Sequence, residues 1–178
     1  MTREAVDARR VYALLDTLAR AAGGEVTVYL VGGATAVTVG WRDTTLDVDL
    51  RLEPEDEDAL RALPHLKEEL DINVELASPL DFLPELPGWR DRSPFVASVG
   101  PLTVRQFDPY AQALAKLERG FTQDLRDVDE MVALGLVRPA ELTRLFGTIA
   151  DKLYRFPAVD EDHLRATVED LEARLGSG

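Results

Sequence analysis

A chain of 178 residues with 46% hydrophobic content has the material for one ordinary domain, or one domain with a helical appendage, and for a sizeable core. The absence of cysteine removes disulfides, thiolate metal sites and cysteine nucleophiles, and agrees with a reducing, cytoplasmic setting. A formal charge of −13 repels phosphate backbones and argues against a general DNA- or RNA-coating role, while leaving room for a local site where metal ions screen the repulsion.

The N-terminal residues space their apolar side chains with charges, unlike a signal peptide, and no later stretch is long enough to span a bilayer, so no membrane partner is expected. Over residues 4–21, Val6, Val11, Leu14, Leu15 and Leu18 recur at helical spacing and predict an amphipathic helix, ended by Gly23-Gly24. Residues 26–31 (VTVYLV) form a short β-rich run bounded by glycines, which predicts a buried strand. Gly32-Gly33 follows directly, with a short helix expected over 34–39. Residues 46–52 (LDVDLRL) alternate, which predicts a strand with Leu46, Val48, Leu50 and Leu52 inward and Asp47, Asp49 and Arg51 on a polar face.

A short helix is expected over 54–63 with Pro54 at its first position. Residues 71–76 (DINVEL) predict another strand, with Ile72, Val74 and Leu76 inward and Asp71, Asn73 and Glu75 outward. The proline-rich segment 78–94 reads as an ordered loop, because Phe82, Leu83, Leu86 and Trp89 are too apolar to leave in water. Residues 95–99 and 102–107, joined by Gly100-Pro101, predict a hairpin. Beyond Asp108 the period is helical, with helices expected near 109–119, 123–134, 139–152 and 160–175. The fold class is therefore α+β, an α/β half followed by a helical half.

Asp47 and Asp49, at i and i+2 of a strand, project to one side with Cα atoms about 6.5–7 Å apart. Such a pair can converge on a hard cation such as Mg²⁺. Alone the pattern is weak, because acidic pairs recur in this chain, as at Glu55/Glu57 and Asp127/Asp129, and usually mark a solvated face. The preceding strand and Gly-Gly turn add weight, since glycines let a backbone approach a ligand closely and the following N–H groups suit a phosphate. A phosphate cradle beside two carboxylates is what metal-assisted nucleotidyl transfer requires.

Together the apolar strand, Gly-Gly, short helix and Asp-x-Asp resemble the active-site signature of the polymerase-β-like nucleotidyltransferase superfamily. The run KLERGFTQDLRDVDEM over 116–131 resembles the Lys…Asp-x-x-Asp segment of its AbiEii/AbiGii-type branch, which includes the MenT toxins of toxin–antitoxin systems. The resemblance spans residues 26–135. It implies a nucleotidyltransferase-like mixed sheet with flanking helices over 1–107 and a C-terminal helical region over 108–175 packed on that core; Gly176-Ser177-Gly178 reads by its own composition as an appended remnant. The resemblance further implies that Gly32, Gly33 and Thr35 contact a nucleoside triphosphate, and that Asp47 and Asp49 hold Mg²⁺ with Glu75 as the third carboxylate. Lys116 would reach the phosphates, while Asp124 and Asp127 would complete the site or position the lysine. The implied reaction moves a nucleoside monophosphate from an NTP to a hydroxyl, on a tRNA 3′ end or a protein, with an antitoxin as partner.

The sequence departs from the superfamily pattern at Ala34, where serine often follows the glycines, and at Glu75, where an aspartate is usual. A catalytically degenerate binding protein on the same fold and an antibiotic-type small-molecule nucleotidyltransferase are the competing readings. Lys116 as an ordinary surface lysine and Asp124 as a helix N-terminal acid are the bland alternatives for those residues. Hydrolase, Walker-type and dinucleotide-binding classes lack their motifs, and His65 and His163 form no ligand pattern.

Overall fold

The computed structural model describes residues 3–177. The expectation for the 176–178 tail therefore falls partly, at Gly178, outside the described residues. Two compact units divide the chain: 1–78 with 93–107, and 79–92 with 108–178. Among the described residues no helix is long and apolar enough to cross a membrane.

The first unit is a mixed five-stranded sheet with three helices. In chain order it contains α1 (Ala8–Ala21), β1 (Val26–Val31), α2 (Gly33–Val39), β2 (Asp47–Glu53), α3 (Glu57–Glu69), β3 (Asn73–Leu76), β4 (Phe95–Val99) and β5 (Leu102–Gln106). The strand order is β3-β2-β1-β5-β4. β1 runs antiparallel to β2 and parallel to β5, β2 runs parallel to β3, and β4 closes the hairpin with β5. One sheet face carries Val26, Val28, Leu30, Val48, Leu50, Leu52 and Val104, which form a single buried cluster with Val11, Leu14, Leu15 and Leu18 of α1 and Leu63 and Leu66 of α3. Each of these large side chains contributes roughly 1.5–3 kcal/mol by leaving water, so the alternation of β2 and the stripe of α1 are the main reason this layer forms.

Local chemistry moves several expected boundaries. The first helix begins at Ala8 and not at residue 4, because the Asp7 carboxylate caps it by accepting from Arg10 N (2.9 Å), and Val6 instead pairs with Thr45 as an isolated bridge. Pro54 does not start a helix. It follows Glu53 through a cis peptide, and Asp56 caps α3, which then runs through Pro64 to Glu69. Leu46 is 65% exposed and Leu76 52% exposed, since each lies at or beyond the end of its paired ladder, where the sheet no longer covers it.

The second unit contains a 3-10 turn at Pro79–Asp81, then α4 (Pro109–Arg119), α5 (Thr122–Ala133), α6 (Pro139–Ile149), a 3-10 segment at Ala150–Arg155 and α7 (Glu161–Leu175). The proline-rich segment is ordered, with Leu83, Leu86 and Trp89 buried, while Phe82 is exposed. Arg92 ties this segment to α4 through two hydrogen bonds to Asp108 Oδ2, at 3.1 and 2.7 Å, and Asp108 Oδ1 in turn caps α4 by accepting from Tyr110 N. Asp108 is fully buried. Desolvation raises its carboxyl above the usual range, against the lowering influence of Arg92.

A carboxyl whose pKa is raised in the fold contributes most to stability below its unfolded value and loses that contribution as pH rises. Removing Arg92 leaves the charge unpaired, so Arg92→Ala should cost about 2–3 kcal/mol at neutral pH. The deficit should narrow on acidification, as Asp108 takes up a proton. Urea denaturation of both proteins at neutral and mildly acidic pH checks this, and a deficit that widens on acidification would refute the pairing argument.

Candidate functional site

The face of the sheet opposite the α1/α3 cluster is polar. Strand register determines which side chains meet there. Across β3, β2 and β1, Glu75 stands opposite Asp49 and Asp49 opposite Val31, while Asp47 stands opposite Asn73. Neighbouring strands lie about 4.8 Å apart, so Asp47, Asp49 and Glu75 share one patch of one face. Asn73 Nδ2 donates to Asp47 Oδ1 at 2.6 Å and fixes that carboxylate, a role the sequence did not assign although Asn73 lies on the expected polar face.

The Gly-Gly turn packs directly against this patch. Gly32 adopts φ 60°, ψ −122°, which side chains avoid, and a Cβ built there would lie 3.5 Å from Asp49 Oδ2. Any larger residue would thus sit over that carboxylate. Gly33 is required for a different reason. A Cβ there would overlap Thr45 Oγ1 and fall 2.7 Å from Thr45 Cβ, while Thr45 is held by its backbone bridge to Val6 and by its hydroxyl bond to Asp47 O (3.0 Å). Gly33→Ala should therefore cost roughly 1–3 kcal/mol through overpacking. Its chemical denaturation midpoint would report the loss, and a wild-type midpoint would show that Thr45 yields freely.

Thr35 is buried, and its hydroxyl donates to Leu30 O (3.1 Å), so this group joins α2 to the end of β1. Lys116, Asp124 and Asp127 lie in the second unit and form a compact buried group. Lys116 is only 5% exposed, and its Nζ lies 2.7 Å from Asp127 Oδ2 and 3.9 Å from Asp124 Oδ1. Arg119 Nε donates to Asp124 Oδ2 (2.8 Å), and Gln123 donates to Asp127 Oδ1 (3.0 Å). Lys116 is thus no ordinary surface lysine: the burial and the two aspartates hold α4 and α5 together across the Gly120 break.

Among the described residues, no group of three or more histidine, aspartate or glutamate side chains is disposed to hold a metal ion. Two neighbouring carboxylates nevertheless fit Mg²⁺, which usually binds one or two carboxylates and completes its shell with waters and substrate phosphates.

A mixed sheet carrying a Gly-Gly turn against an Asp-x-Asp strand defines a nucleotidyltransferase-like protein. The chain belongs to the family described as nucleotidyltransferase of unknown function (DUF6036), whose model matches residues 10–169. Its structure is similar in fold to the crystal structure of an antigenic nucleotidyltransferase-like protein from Paracoccidioides brasiliensis, at 13% identity and a TM-score of 0.53, over 96% of this chain and 91% of that one. No curated protein matches the chain.

Proposed function

We propose that the protein transfers a nucleoside monophosphate from an NTP to a hydroxyl acceptor. The observation that carries this reading is the placement of Asp47 and Asp49 on one sheet face with the Gly32 backbone against Asp49. Asp47, oriented by Asn73, and Asp49 would hold Mg²⁺. The metal, when bound there, would neutralise triphosphate charge and lower the pKa of the acceptor hydroxyl. Gly32 sets no side chain over Asp49, as close backbone–ligand contact requires. Glu75, exposed and opposite Asp49, would act as the base that takes a proton from the acceptor hydroxyl.

The Lys116…Asp124-x-x-Asp127 segment supports placing the chain in the AbiEii/AbiGii-type branch, with a tRNA 3′ end or a protein side chain as acceptor and an antitoxin as partner. Calorimetric titration of the four NTPs with Mg²⁺ into wild type and the Asp47→Asn/Asp49→Asn double variant tests the reading. Metal-dependent binding that disappears in the variant supports it. Absence of binding in both proteins would favour a degenerate, binding-only member of the family.

A further inference from the structure

On the polar face of β2, Arg51 follows Asp49 at i+2, and it pairs in register with Tyr29 of β1, which pairs in turn with Arg105 of β5. The two arginines of this row are treated differently by the fold. Arg105 donates through Nη1 to Ser93 O (2.9 Å). Arg51 is half-buried, and its Nε is enclosed yet has no hydrogen-bond partner among the described residues. Tyr29, its register partner on β1, donates its hydroxyl to Glu53 Oε2 (3.4 Å). A buried donor left unmade costs about 1–3 kcal/mol, and the cost is greater for a charged group. The fold thus keeps an expensive unsatisfied donor one strand repeat, about 6.5–7 Å, from the carboxylate pair.

The chemistry of the residue says what would fill it. A guanidinium remains charged at any physiological pH and presents a planar fork of donors that matches phosphate oxygens. The surrounding face is acidic, with Asp47, Asp49, Glu53 and Glu75, so an anionic ligand drawn there needs a cationic partner beyond any metal. We propose that Arg51 is a phosphate-binding residue that grips the triphosphate of the nucleotide at Asp47 and Asp49, an inference that rests on the nucleotidyltransferase reading above. The competing account is that Arg51 merely balances the charges of Asp49 and Glu53, its neighbours at i−2 and i+2.

The two accounts differ in the unliganded protein. The full chain as wild type, Arg51→Gln, Arg51→Lys and Asp49→Asn would be titrated with inorganic tripolyphosphate and with each NTP in Mg²⁺, and melted without ligand. Arg51→Gln should weaken tripolyphosphate and NTP binding roughly ten- to hundredfold, the range expected for one charge-assisted contact. Arg51→Lys should recover part of that affinity, and the unliganded Gln variant should melt at or above wild type. Unchanged affinity in Arg51→Gln, or an unliganded melting temperature several degrees lower, overturns the proposal. Binding lost in Asp49→Asn but retained in Arg51→Gln refutes the role of Arg51 alone. Failure of wild type to bind any triphosphate refutes the nucleotidyltransferase reading itself.

Discussion

Asp49→Asn is expected to lower nucleotidyl transfer by at least about a thousandfold, several kcal/mol of transition-state stabilisation of the kind a correctly held metal supplies. The substitution keeps the shape of the side chain but removes the charge that faces the Gly32 turn. Its effect on the fold should be small or favourable. Asp49 stands opposite Glu75 and two residues from Asp47, and like charges facing one another across a strand pair are destabilising. The melting temperature should therefore stay within about 3 °C of wild type or rise, since 1 kcal/mol moves a domain of this size by that amount. Transfer of label from an α-labelled NTP, followed beside a thermal melt, separates the two effects. A wild-type rate in a folded Asp49→Asn protein would remove the carboxylate pair from the mechanism.

The carboxylate patch was legible in the sequence because it depends on period 2 alone. Once LDVDLRL alternates, Asp47, Asp49 and Arg51 must share a face, and the structure places them so. The neighbours of that patch depend on register, which a single strand does not encode. Thus the sequence could place Asn73 and Glu75 on a polar face, but only the parallel pairing of β2 with β3 sets Asn73 against Asp47 and Glu75 against Asp49. The ends of strands were misread for the same reason. Leu46 and Leu76 continue the apolar alternation, but Leu46 precedes the paired ladder and Leu76 is its last residue, and both are exposed. Pro54 fits a first helical position on propensity, yet Asp56, with a side chain able to accept from Ala59 N at 2.8 Å, is the better cap two residues on.

The Gly-Gly pair shows a different limit. Its spacing after β1 suggests a single shared purpose, whereas the two glycines answer separate demands, Gly32 a backbone angle and access to Asp49, Gly33 the close approach of Thr45. The second demand is a long-range contact and leaves no local trace. Burial of Lys116 is similarly invisible, because lysine in an amphipathic helix is normally solvated. The signal lay in the spacing of Asp124 and Asp127, which places both acids on one face of α5 at i and i+3.

That group gives the largest expected stability effect. Lys116→Met takes from Asp127, 1% exposed, the ammonium at 2.7 Å while Gln123 still donates to its Oδ1, and takes from Asp124 the same ammonium at 3.9 Å while Arg119 stays beside it. Removing one partner of a buried ion pair typically costs about 3–5 kcal/mol, because the remaining charge is neither solvated nor paired. Lys116→Met/Asp127→Leu should regain most of that loss, since an apolar replacement of both partners removes the uncompensated charge. Urea denaturation of the two variants measures the stability term, and NTP titration of the same samples measures any functional one. If the double variant recovers both stability and NTP affinity, Lys116 serves the packing of α4 on α5 and nothing more. Should stability return without NTP affinity, the Lys116–Asp127 pair has a functional part beyond packing, as the resemblance to the toxin branch implies. A single variant as stable as wild type would contradict the burial argument from which both expectations follow.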